Sequence, residues 1–145
     1  MKDLEAISGD VIDAAIGLHR ELGPGLLESV YEMLLASELA SRGHMVERQK
    51  PINIEFRGNR FDAAFRIDLL VDDTLLVEIK SVERLTGAHF KQLLTYLRLT
   101  KQPVGLLINF AGETLKEGLK RVVNDYTPSA PPRLRVNQSE GPPNV

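Results

Sequence analysis

Residues 61–81 read as two apolar strands folded back on one another, and each strand carries a carboxylate inside its apolar run. Phe61 to Val71 and Leu75 to Ser81 are rich in aliphatic residues, and Asp72-Asp73-Thr74 between them is a turn signal. Asp68 stands among Phe65, Ile67, Leu69, Leu70 and Val71, while Glu78 and Lys80 alternate with Val77 and Ile79. A carboxylate in such a run is costly unless it reaches solvent or finds partners. The hairpin must therefore turn its acids to water, as a solvated strand face with a cross-strand ion pair, or gather them into a site.

Register decides between these outcomes. A two-residue turn at Asp72-Asp73 pairs Val71 with Thr74 and places Asp68 opposite Val77, with Asp68 and Glu78 on opposite faces. A three-residue loop, Asp72-Asp73-Thr74, pairs Val71 with Leu75 and Asp68 with Glu78. Only an odd-length loop or a bulge brings the two carboxylates to one face. Together they are hard oxygen ligands of the kind Mg²⁺ prefers. Lys80, two residues after Glu78, shares its face and is placed to hold an attacking water or a phosphate oxygen. This grouping points to metal-assisted phosphodiester chemistry, and no other group of residues in the chain is as coherent.

The flanking sequence supplies the rest of a fold. Val11, Ile12, Ala15, Ile16, Leu18 and Leu22 recur near helical spacing over residues 8–22, and Gly23-Pro24-Gly25 stops that helix. A second helix runs from Leu26 to Ser41, with Leu27, Val30, Tyr31, Leu34 and Leu35 as a buried stripe and Gly43 as its cap. The period then changes. Ile52, Ile54 and Phe56 alternate as a strand, and Gly58-Asn59 marks a hairpin. Helical spacing returns from Thr86 to Thr100 with Phe90, Leu93, Leu94 and Leu97, and Pro103 closes it. Val104 to Phe110 is a buried strand. Residues 114–123 fit either a helix or a short strand, the latter favoured by Gly118 and the pair Val122-Val123. After Asn124 the chain is rich in proline and poor in apolar residues, which predicts a domain over 1–124 and a disordered tail over 125–145. Two helices, a three-stranded meander, a helix and a further strand imply an α/β sandwich with a mixed sheet.

Other residues bear on the candidate site. Glu28 lies within roughly 60° of Tyr31 and 20° of Leu35 on a helical wheel, on or beside the apolar stripe, unlike Glu32 and Glu38. The plainer explanation of Glu28 is a first-turn carboxylate favoured by the helix dipole. Gln92 and Tyr96 share a helix face, where Gln can bond a phosphate or a ligand carboxylate and Tyr can stack on a base; a boundary Gln and a core Tyr are the plainer alternatives. His19 ends the first helix near the Gly-Pro-Gly turn and is within range of a metal, but for His19 and His89 alike a surface or capping role is the simpler expectation.

Composition narrows the class. The 145 residues, 43% hydrophobic and 26% charged, suit one core. No apolar run approaches the roughly 20 residues of a membrane span, and the start of the chain lacks the apolar stretch of a signal peptide. The absence of cysteine excludes disulfides, a thiol nucleophile and Cys-ligated zinc, and the whole suits the cytoplasm. Net charge is −2, but residues 1–40 hold two basic residues against eight acidic, leaving sixteen against twelve in 41–145. Between Lys80 and Lys101 stand Lys80, Arg84, Lys91, Arg98 and Lys101 against Glu83 alone. Such a segment either touches phosphates or is a solvated helix face.

Taken together, Gly25-Leu26-Leu27-Glu28-Ser29-Val30-Tyr31, Asp68-Leu69-Leu70-Val71, Glu78-Ile79-Lys80-Ser81, Gln92-Leu93-Leu94-Thr95-Tyr96-Leu97 and Leu107-Ile108-Asn109-Phe110 resemble the GxxExxY protein family over about residues 8–124. That family looks like a branch of the PD-(D/E)XK nuclease superfamily. The resemblance implies a restriction-endonuclease-like αβββαβ core, with a central mixed sheet flanked by helices and the site at a fork of the central strands. Carried over, Asp68, Glu78 and the Ile79 carbonyl would hold Mg²⁺ or Mn²⁺, Lys80 would be the catalytic lysine, and Glu28 the acid from the first core helix. Gln92 and Tyr96 look like the Gln-x-x-x-Tyr motif of the exonuclease branch and, with Lys91, would contact DNA; RNA remains an alternative. Ile67 stands where the superfamily name has proline. The histidine that some of these exonucleases place before the first acid has only an approximate counterpart in His19. The resemblance therefore implies a metal-dependent DNA nuclease, with a homodimer as one way to enclose a duplex. The alternatives are a catalytically silent module of the same fold that binds nucleic acid or protein, and a hydrolase of small phosphorylated molecules.

Overall fold

The computed structural model describes residues 3–125, so the expected proline-rich tail lies almost wholly outside the described residues. Helix α1 (Leu4–Leu22) and helix α2 (Glu28–Ser41) precede strands β1 (Val46–Phe56), β2 (Asn59–Val71) and β3 (Leu75–Lys80). Helix α3 (Gly87–Thr100), strand β4 (Val104–Asn109), a 3-10 turn (Lys116–Gly118) and strand β5 (Leu119–Val123) complete the described chain. The sheet order is β1-β2-β3-β4-β5. Every pairing is antiparallel except β3 with β4, which α3 makes parallel. This is the mixed, helix-flanked sheet of a restriction-endonuclease-like α/β fold. Among the described residues no helix is long and apolar enough to cross a membrane.

Two apolar layers hold it together. Ile7, Val11, Ala14 and Ala15 of α1 and Tyr31, Leu35 and Leu39 of α2 pack on Leu69, Val71, Val77, Ile79, Leu106 and Ile108. On the other side Leu93 and Leu97 of α3 cover Ile67, Leu76 and Leu107. Each fully buried leucine or isoleucine contributes about 1.5–3 kcal/mol, and β3 and β4, covered on both sides, are buried throughout apart from half-buried Lys80.

Several boundaries differ from the sequence reading, each for a local reason. Helix α1 starts earlier, at Leu4, because the Asp3 carboxylate caps it by accepting from the Ala6 N–H at 3.3 Å. Strand β1 starts at Val46. Its first half, Glu47-Arg48-Gln49-Lys50, lacks an apolar alternation because β1 is an edge strand whose charges pair sideways, Lys50 with Glu47 and Arg48 with Glu32. The β1–β2 turn centres on Arg57-Gly58 rather than Gly58-Asn59, since Phe56 pairs with Asn59 and both turn residues have positive φ. Over residues 114–123 the preferred strand is found, preceded by the 3-10 turn.

The β2–β3 register is the one that aligns the acids. Val71 lies opposite Leu75, Leu70 opposite Leu76 and Leu69 opposite Val77. Asp72 and Asp73 both take positive φ, and the Thr74 N–H closes the turn on the Val71 carbonyl at 3.1 Å. Thr74 is thus the extra residue that shifts the pairing by one.

Gly118 is required by a close approach: a Cβ there would stand 2.2 Å from the Asn109 carbonyl oxygen. That contact is backbone against backbone, so Gly118→Ala should lower stability by about 1–3 kcal/mol in a urea titration. A wild-type midpoint would show that the 3-10 turn can lift away from β4.

Candidate active site

At the open end of the β2–β3 pairing the backbone ladder gives way to the two carboxylates. The Asp68 N–H donates to Glu78 Oε2, and the Ile79 N–H donates to Asp68 Oδ2, both at 2.8 Å. Each acid therefore accepts from the main chain of the opposite strand. The exchange satisfies two backbone donors that the parting strands would otherwise strand. Glu78 is 5% exposed and Asp68 half-buried.

The chain leaving β3 is clamped beside this pair. Glu28 Oε2 accepts from the Ser81 N–H at 3.0 Å. Asn109 Oδ1 accepts from the Val82 N–H, and its Nδ2 donates to the Val82 carbonyl. Glu28 is placed by the loop before it. Gly23 and Gly25 take positive φ there, which glycine adopts without steric penalty. The buried Tyr31 hydroxyl donates to the Gly23 carbonyl at 2.6 Å and accepts from the Leu26 N–H at 3.2 Å. The Tyr31 ring stacks on Phe110, at the end of β4, with centroids 4.3 Å apart. The Gly, Glu and Tyr of the Gly25–Tyr31 pattern thus form one piece of architecture.

The sequence reading of α2 needs one reversal. Glu28, placed on the apolar stripe, is exposed; Glu32, set aside as uninformative, is 5% exposed. The helix begins only at Glu28, so its first residue escapes cover while the next residue on that face, one turn on, is packed. Glu32 Oε1 accepts from Gln49 Nε2 at 2.7 Å, and the same nitrogen donates to Asp68 Oδ1 at 3.2 Å. Gln49 was not foreseen. Its signal is positional, since it stands across from Asp68 between the pairs Arg48–Leu69 and Lys50–Ile67. The four-residue step from Glu28 was the available signal for Glu32.

Tyr96 stacks face to face on Phe65 at 4.0 Å. Burial raises its hydroxyl pKa, and the charges of Glu78 and Asp68 add to the rise. Gln92 lies one turn earlier on α3 and is exposed, as is Lys91. Two of the three histidines, His19 and His89, have structural roles. His19 is buried, with Nε2 2.8 Å from the Gly112 carbonyl and 3.2 Å from that of Phe110, which corrects the expectation of a surface or capping role. His89 caps α3, its Nδ1 accepting from the Thr86 N–H at 3.0 Å.

Residues 5–122 match the family model of the PD-(D/E)XK nuclease superfamily. The chain belongs to the PD-(D/E)XK nuclease superfamily. No curated protein and no solved structure gives a match. The superfamily's name describes an acid followed at a distance by Asp or Glu, any residue and Lys. Asp68 and Glu78-Ile79-Lys80 read that way, with Ile67 in the place of proline. Nucleases of this superfamily generally use divalent metals.

The electrostatics of the pair are those of two acids short of positive charge. Burial pushes the Glu78 carboxyl up to about 7, and the neighbouring Asp68 charge adds to the rise; the Asp68 N–H and the Lys80 ammonium oppose it. Burial also raises Asp68, against the Ile79 N–H, the Gln49 amide and Lys80. A raised carboxyl pKa means that the folded protein holds this proton more tightly than the unfolded chain. Its stabilising contribution is full below the ordinary value of 4.5 and is lost as pH rises through about 7. Glu78→Gln should remove that loss. In chelator at about pH 8 the variant should be the more stable by on the order of 3 kcal/mol, with the gap closing toward about pH 5. Parallel pH profiles of the urea midpoint would show that Glu78 does not carry this cost.

Proposed function

We propose that the chain is a Mg²⁺- or Mn²⁺-dependent nuclease that hydrolyses DNA, of the GxxExxY branch. The single observation that carries this reading is the carboxylate pair brought together at the β2–β3 fork, with Lys80 two residues beyond Glu78. Its donor chemistry fits a hard divalent ion. Among the described residues no group of three or more His, Asp or Glu side chains closes around one point. Mg²⁺ needs no such cage: it binds through one or two carboxylates and fills its shell with water and substrate phosphate. Asp68, Glu78 and the Ile79 main-chain carbonyl would be the protein's ligands, with Glu28 acting from the β3 exit. Such an ion supplies Lewis-acid stabilisation of the phosphoryl group and eases deprotonation of the attacking water.

The protein's own groups do the remaining work. The Lys80 ammonium, which opposes the rise in pKa of both acids, orients the water and offsets charge developing on the phosphate. Tyr96, held flat against Phe65 one turn after Gln92 on α3, would help to position the strand. Gln92 and Lys91, exposed on the same helix, position the strand. The lack of apolar cover over Gln92 favours a ligand-facing role over a core boundary.

A second reading, a module of the same fold that binds without cutting, is favoured by the net charge of −2, which is low for a nucleic-acid enzyme. The two separate in one experiment. Wild type should cleave single- or double-stranded DNA with Mn²⁺ and lose all activity in chelator. Asp68→Ala and Lys80→Ala should each fall by at least about 10³-fold while keeping the wild-type circular dichroism spectrum. Asp68→Ala should also lose Mn²⁺ binding in calorimetry. Equal cleavage by either variant would overturn the mechanism, and DNA binding without cleavage would favour the silent module.

A further inference from the structure

Gln49 holds a backbone conformation that glutamine adopts reluctantly, with φ of +51°. It does so inside a strand whose pairing is in register on both sides, Arg48 with Leu69 and Lys50 with Ile67. Strain of this kind persists where the surroundings impose it, and it gathers at functional sites. What it accomplishes is visible in the hydrogen bonds. Both protons of the Gln49 amide nitrogen go to carboxylates, one to Glu32 Oε1 at 2.7 Å and one to Asp68 Oδ1 at 3.2 Å. Those acids come from different elements, α2 and β2.

Glu32 decides which way round the amide lies. The carbonyl end of Gln49 would repel a carboxylate oxygen, so the nitrogen must face Glu32. Glu32 is itself fixed, 5% exposed and accepting from Arg48 Nε at 3.2 Å on its other oxygen. On Asp68 the second oxygen takes the Ile79 N–H. The carboxylate of Asp68 is therefore held at both oxygens by neutral donors, and the plane in which it can meet a ligand is set before the ligand arrives.

We propose that Gln49 is a positioning residue for the divalent-metal site: its amide, oriented by Glu32, presents the Asp68 carboxylate to the ion, and the strained backbone at residue 49 is retained for that purpose. The proposal rests on the metal-dependent reading above. Groups that orient a ligand in this way are worth about 10–100-fold in metal affinity.

Gln49→Asn and Gln49→Gly test it. Asparagine and glycine both accept positive φ more readily than glutamine, so each relaxes the backbone while withdrawing the amide from Asp68. Metal-free thermal unfolding and Mn²⁺ calorimetry are run on both variants and on wild type. The expected result is that both variants remain folded at the titration temperature, any fall in melting temperature reflecting the donor lost by buried Glu32, while Mn²⁺ affinity falls by about 10–100-fold. A wild-type affinity in both variants overturns the role of Gln49 and leaves the metal site standing. Loss of the folded circular dichroism spectrum in both variants also overturns it, because the amide would then be holding the fold rather than the ligand. Failure of the wild type to bind Mn²⁺ would instead sink the metal-dependent reading, and this inference with it.

Discussion

The reciprocal exchange between Asp68 and Glu78 is the constraint around which the rest of this molecule is arranged. Two strands that part must leave backbone donors unpaired, and buried donors without partners are costly. Here the gap is closed by two side chains, each reaching across to the main chain of the other strand. Those side chains are acids, so the repair brings two negative charges together in a place of low exposure. Much else follows from containing that concentration. Lys80 stands beside it, Gln49 donates to one acid, and Glu28 and Asn109 hold the departing chain so that the fork keeps its shape.

The site is therefore a place where local stability has been given up. The Glu78 carboxyl is pushed up to about 7 because burial and Asp68 both disfavour its charge. Gln49 occupies a backbone region that costs an L-residue roughly 1–2 kcal/mol. The two apolar layers on either side of the sheet offset this, since β3 and β4 are covered by helices on both faces. A strongly packed centre allows its rim to carry strain and unbalanced charge, and departures from local rules gather at functional sites in proteins generally.

Much of the fold could be read in advance, because period and punctuation are local. The helices announced themselves by apolar spacing, and the meander by alternation between turn signals. The polar start of β1 could not be read, because an edge strand draws its partners from neighbouring charges rather than from a core. Asp68, Glu78 and Lys80 stood out because charged residues inside apolar strands demand an explanation. Their convergence depended on one extra residue, Thr74, whose effect could be stated only as a condition. The roles of Glu32 and Gln49 are hidden in the sequence for a different reason. The four-residue step from Glu28 to Glu32 gains its meaning only once the helix start is known, and a glutamine on an edge strand only once the register is known.

The sequence by itself determined which chemical groups were available: an acid on β2, Glu-x-Lys on β3, and a Gly-rich turn before a helix that carries glutamate and tyrosine. Those are properties of side-chain type and short spacing, which survive without any knowledge of neighbours. Only the tertiary structure decided which of them meet. Gln49 and Asp68 are 19 residues apart, Glu28 and Ser81 are 53 apart, and His19 and Phe110 are 91 apart. Hydrogen bonds act over about 3 Å, so contacts between residues so distant along the chain exist only after the sheet has fixed its register and the helices have packed against it.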